Sequence, residues 1–133
     1  MVRILRDGGM QVEAHGTHFR PTAHDHEWLG PLARNGWVGI TKDDRIRYSP
    51  LAVETVMRSG SKLFIAIGTY THERLARNIF HSRHKLDQFV RKYSEPFIAR
   101  LYMAPEHKFD QGRAGEIKVW KTEAQWRAES GRR

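Results

Sequence analysis

Apolar and polar positions along this chain fall into blocks whose period changes from one to the next, and the changes mark the elements. Residues 2–6 form a short amphipathic scrap closed by Gly8-Gly9, the pattern of a helix's last turn and its stop. Residues 11–15 alternate as a short strand does. Over 25–34, Trp28, Leu29 and Leu32 recur at helical spacing, with Asn35-Gly36 as a C-cap. Residues 37–41 read as a compact buried strand. Pro50 suits the first turn of a helix over 50–58, whose apolar side is Leu51, Val53, Val56 and Met57 and which Gly60 ends. The run 63–67 is apolar throughout, as in a strand covered on both faces. The longest periodic stretch, 71–93, predicts one helix. Leu75, Ile79, Leu86, Val90 and Tyr93 line one side of it, with Phe89 beside them; Arg74, Arg77, His81 and Lys85 line another. Two strand-like runs, 96–103 and 116–121, are separated by a polar turn with Gly112 and Gly115, and a short helix over 124–128 comes last.

Strands alternating with helices predict an α/β layer structure around a mostly parallel sheet, and 133 residues suit one domain over 1–133. The longest apolar run is far short of the roughly 20 residues of a membrane-spanning helix. No secretory signal is visible, and the chain has no cysteine, which excludes a disulfide framework and cysteine-ligated zinc and fits a cytoplasmic protein. Charge adds a partner. Twenty-three Lys and Arg face fifteen Asp and Glu, a net charge of +8, and sixteen of the cations are arginines suited to forked phosphate contacts. Nucleic acid is therefore the expected partner, against the plainer reading in which the charge only keeps the chain soluble.

Candidate chemistry concentrates between residues 24 and 47. Asp25 opens a predicted helix, and Asp43 and Asp44 follow a predicted strand. Ligands of open α/β sheets bind outside the carboxyl ends of strands, and carboxylates gathered there suit hard ions such as Mg²⁺ or Mn²⁺. Such an ion activates water for attack on phosphorus, while Lys42, Arg45 and Arg47 are placed to hold a phosphate backbone. Each aspartate also has a plain role, Asp25 as a helix cap and Asp43-Asp44 as a turn or cap. His15, His18, His24 and His26, with Asp25 and Glu27 among them, raise a zinc alternative, but no recognised zinc spacing is present. Trp28, Trp37, Phe64 and Phe89 are expected in the core, and Trp120 and Trp126 at a dimer or partner interface.

The segments Asp25-His26-Glu27-Trp28-Leu29, Gly36-Trp37-Val38-Gly39-Ile40-Thr41-Lys42-Asp43-Asp44-Arg45-Ile46-Arg47, Pro50-Leu51, and Gly60 with Leu63-Phe64 together resemble the PIN-like domains of the VapC type. The resemblance spans about residues 3–68, half the chain, and Thr41-Lys42-Asp43 is its most specific part. It implies a three-layer fold with a mostly parallel central sheet flanked by helices. It also implies a divalent-metal-dependent ribonuclease, commonly the toxin half of a toxin–antitoxin pair, in which metal-bound water attacks the phosphodiester directly. Carried over by position, Asp25 is the second acidic ligand and Asp43 the third, with Asp44 or Glu27 as a further carboxylate. The implied partners are RNA and a cognate antitoxin, either of which the stripe of Arg74 and Arg77 suits. A homodimer is the commonest assembly for a soluble chain. One departure stands out: such domains open with a strand ending in the first ligating Asp, whereas this chain is expected to begin inside the helix that follows. A start codon placed too far downstream and a degenerate member that binds without cutting both account for it.

Overall fold

The apolar run in the middle of the chain becomes the axis of the sheet. The computed structural model describes residues 25–68, 71–104 and 112–130, with Asp25, His26 and Ser130 described by backbone alone. The expected helix end at 2–6, the strand at 11–15 and His15, His18 and His24 lie outside the described residues.

Among the described residues, five helices, a 3-10 turn and four strands precede a final helix. In chain order they are α1 (Asp25–Leu29), α2 (Pro31–Arg34), β1 (Gly39–Thr41), a 3-10 helix (Asp44–Tyr48), α3 (Pro50–Ser59), β2 (Lys62–Ala66), α4 (His72–His81), α5 (Arg83–Lys92), β3 (Phe97–Leu101), β4 (Ile117–Thr122) and α6 (Glu123–Ser130). The strands form one sheet in the order β1-β2-β3-β4. β1 pairs parallel with β2, with Gly39 opposite Leu63, and β2 pairs parallel with β3, with Lys62 opposite Phe97. β4 returns antiparallel along β3, with a bulge between Ile98 and Ala99. The expected α/β class and mostly parallel sheet are therefore what the chain forms.

Helices cover both faces. On β2, Leu63 and Ile65 join one buried cluster with Leu29, Leu32, Val56 and Met57, while Phe64 joins another with Ala76, Ile79, Leu86 and Phe97. Alternate side chains of a strand point to opposite faces, so an all-apolar strand needs cover on both. The second cluster is aromatic: Phe64, Phe89 and Phe97 meet edge to face at 5.1–5.7 Å between ring centres. Each such pair contributes about 0.5–1.5 kcal/mol beyond its buried area.

Three local expectations are corrected. The helix over 25–34 is two short helices, because a helix cannot run through Pro31, which lacks an N–H and whose ring crowds the carbonyl one turn back. The strand at 37–41 is not compactly buried: β1 is a sheet edge among the described residues, and Val38 and Ile40 are 40% and 38% exposed. The helix over 71–93 breaks at Ser82, whose ψ of 1° is not helical. Ser82 is fully buried, and its Oγ accepts a 2.8 Å hydrogen bond from the Gly115 N–H. The break thus docks the α4–α5 corner onto the segment leading into β4. The 50–58 helix forms as expected, capped by the Ser49 hydroxyl, which accepts from the Ala52 N–H, and by left-handed Gly60.

Candidate functional site at the carboxyl edge of the sheet

Parallel strands bring their carboxyl ends to one edge, so the segments after β1, β2 and β3 lie together. Thr41-Lys42-Asp43 leaves β1 there, and α4 starts there after β2. Lys42 Nζ lies 2.6 Å from Nε2 of His72, the first residue of α4, which ties the two segments.

Asp43 sits in the turn between β1 and the 3-10 helix. Its backbone N–H donates to Thr41 Oγ1 at 3.1 Å, and its Oδ1 accepts from the Arg45 N–H at 3.1 Å, capping the 3-10 helix. The Arg45 guanidinium then forks onto the same carboxylate, Nε to Oδ1 at 2.9 Å and Nη2 to Oδ2 at 3.1 Å. These side-chain bonds, and secondarily the backbone bond and the charge of Arg45, hold the Asp43 carboxyl below its ordinary pKa against the opposing effect of burial. Asp43 is therefore both the capping residue of the plain reading and an ionised carboxylate at the edge where ligands of such sheets bind.

Asp44 points into a second fork. Arg47 donates to it through Nε and Nη2, both at 2.5 Å, and this raises the already high pKa of Arg47. The Arg47 guanidinium lies 3.3 Å from Tyr48 Oη and over the rings of Tyr48 and Trp120, at 5.1 and 5.8 Å from their centres. Asp25 opens α1, whose other end is fixed by a 3.0 Å bond from Ser61 Oγ to the Leu29 carbonyl. Glu27 is half-buried on the same helix.

The donor chemistry suits a hard cation, but the described side chains do not complete a site for one. Among the described residues no group of three or more His, Asp or Glu side chains converges. Asp43 supplies carboxylate oxygens in a suitable place, and Asp44 is taken up by Arg47.

Of the residues expected to hold phosphate, Arg45 forks onto Asp43, Arg47 turns to Asp44, Lys42 reaches His72, and Arg74 and Arg77 lie on the helix that starts beside Lys42. The basic stripe is not one continuous cationic face. Arg77 pairs with Glu73 at 3.0 Å, and Lys85 Nζ donates to the Gly115 carbonyl at 2.9 Å across the break at Ser82. His81 is held below its ordinary pKa by burial and then by Arg77 and Arg83, so at neutral pH it adds little charge.

Sequence reasoning placed Trp120 and Trp126 at an interface and missed what they build. With Tyr48, Arg47, Arg58 and Lys121 they line a groove of about 530 Å³ beside the 3-10 helix. The signal lay in the adjacent pairs Arg47-Tyr48, Trp120-Lys121 and Trp126-Arg127, each an aromatic ring next to a cation.

A family model described as a PIN like domain matches residues 1–68, just over half of the chain. A protein of Mycobacterium tuberculosis named "Putative ribonuclease VapC45" is 33% identical over 66 residues, which cover 47% of this chain and 48% of the relative. The chain thus spans about half the length of the curated relative it matches. No solved structure matches the chain. No helix among the described residues is long and apolar enough to cross a membrane.

Proposed function

The chain belongs to the PIN-like domain family, and from that premise we propose that it is an endoribonuclease, the toxin component of a toxin–antitoxin pair. The observation that carries the reading is Asp43: an ionised carboxylate just past the end of a parallel strand, forked by Arg45 and flanked in the chain by Lys42. The name of the relative, a ribonuclease, supports RNA as the substrate. Mg²⁺ or Mn²⁺ is the cofactor of this reading; Asp43 and Asp25 would hold it, and it would supply activation of water and neutralisation of phosphate charge. Arg45 and Lys42 would bind and orient the backbone, Arg45 exchanging the Asp43 carboxylate for a phosphate, since both partners suit its planar fork. A cognate antitoxin as partner and a cytoplasmic location belong to the same reading.

The experiment is cleavage of a mixed RNA pool by the purified chain with Mn²⁺ or Mg²⁺, against EDTA and against Asp43→Asn. Asparagine still caps a helix, so the variant is expected to keep its fold while cleavage is lost. Cleavage that survives both controls would sink the reading. A second reading, RNA binding without cleavage, is favoured by one observation: Asp43 and Asp44 are each forked by an arginine and no third acid joins them among the described residues. Salt-sensitive RNA binding by a folded chain that cuts nothing with either ion would select it.

A further inference from the structure

The groove beside the 3-10 helix is not used by the chemistry proposed for Asp43, yet the two are linked, because Arg47 binds Asp44 and overlies Trp120. Its walls are flat rings with cations lying over them. Lys121 Nζ lies 4.6 Å from the centre of the Trp120 ring, and Arg58 lies 5.5 Å from that of Trp126. Both indoles are half-buried against the core cluster that contains Val53 and Val56, so they are fixed surfaces, whereas Tyr48 is 75% exposed. Fixed rings lose little freedom when a second ring stacks on them.

The charge around the rings selects among flat occupants. Arg58 pairs with Glu54, and Arg127 with Glu123, but these are surface ion pairs, with the arginine side chains 67% and 66% exposed. Such pairs are weak and exchange readily for another anion. The chain as a whole carries +8, which draws in polyanions. An anionic chain bearing aromatic planes is a nucleic acid, and only an unpaired strand has base faces to offer, because a duplex hides them in its own stack.

We propose that this groove binds single-stranded RNA by stacking unpaired bases on Trp120, Trp126 and Tyr48, the exposed Arg58 and Arg127 giving up their places over Trp126 to pair with phosphate. The proposal rests on the reading that RNA is the substrate and adds where, and in what form, the strand is held. Tyr48 ends the five-residue 3-10 helix that Asp43 caps, five steps of about 2 Å rise, so the groove lies about 10 Å from the carboxyl-edge site. A strand held there continues past Asp43.

Binding is read in the whole 133-residue chain carrying Asp43→Asn, so that cleavage does not intervene. The probe is a labelled ten-nucleotide RNA of mixed sequence, single-stranded or paired with its complement. The single strand is expected to quench tryptophan fluorescence and the duplex is not. Trp126→Leu and Trp120→Leu, which keep apolar bulk, are each expected to weaken binding roughly ten-fold, the size of one base–aromatic stack, with the salt dependence unchanged. Affinity within two-fold of the parent in both folded variants would overturn the proposal, as would equal quenching by duplex. Quenching by an acidic peptide but not by RNA would overturn it in favour of a protein partner. Should a variant fail to fold, photocrosslinking of 4-thiouridine RNA to the unaltered tryptophans decides. Crosslinks in 47–58 or 117–127 support the groove, and crosslinks confined to α4 and α5 overturn it. Stacking without cleavage would remove the nuclease reading and leave the groove standing; cleavage without stacking would do the reverse.

Discussion

The Asp43 carboxylate accepts three bonds from a single neighbour: the backbone N–H, Nε and Nη2 of Arg45. Because the fork lowers the folded-state pKa, the stability it contributes is complete above the ordinary carboxyl value and is lost as pH falls through the lowered one. Acid below about pH 4 therefore weakens the 3-10 turn, and neutral pH does not. Arg45→Ala is expected to raise the Asp43 pKa towards its ordinary value, read by carbon NMR titration. An unchanged pKa would show that the backbone cap alone sets it. The Arg45 side chain is 90% exposed, so the loss in global stability should stay below about 1 kcal/mol. Where a divalent ion is the occupant of this edge, the same variant binds it more tightly in direct titration, because the competing guanidinium is gone. Asp44 differs: the side chain of its partner Arg47 is only 14% exposed, and the pair anchors the wall of the groove.

Among the elements, the break between α4 and α5 positions the second half of the chain. Ser82 receives the Gly115 N–H, Lys85 holds the Gly115 carbonyl, and Asn78 bridges the Tyr102 carbonyl and the Ala104 N–H. Ser82→Ala leaves the Gly115 N–H buried and unpaired, and a loss of about 1–3 kcal/mol is expected in urea unfolding. Gly115→Ala should cost more, because a Cβ there would stand 1.9 Å from the Tyr102 carbonyl oxygen and the backbone must shift. If Ser82→Ala proves neutral, the corner is held by packing alone. Helical periodicity runs through 71–93 without a sign of this break. Serine is tolerated within helices, and its partner lies 33 residues on, so nothing local reports the bond. The break at Gly30-Pro31, by contrast, was readable from the proline.

For the whole molecule, the RNA-binding reading predicts that affinity falls with salt, with a log–log slope of about −0.7 per phosphate contacted by a single strand, as a net charge of +8 would give. Lys42→Gln is expected to shallow that slope by about 0.7, while Trp126→Leu weakens binding at every salt concentration alike. A slope unmoved by Lys42→Gln would take Lys42 off the phosphate path. The sequence by itself determined the α/β class, the buried strand that became β2, the helix over Pro50–Ser59 and the place of Asp43 after a strand. These rest on local period, caps and continuous apolar runs, which neighbouring residues encode together. Packing between distant segments was needed to put β1 at an edge among the described residues, to bend 71–93 at Ser82, and to fork Asp43 and Asp44 with the arginines two and three residues on. Only it, too, brought Tyr48 together with Trp120 and Trp126. Their nearness follows from β4 returning antiparallel along β3, about 20 residues away, and from Trp126 of α6 meeting Arg58 of α3, about 70 residues away, pairings that no local pattern carries.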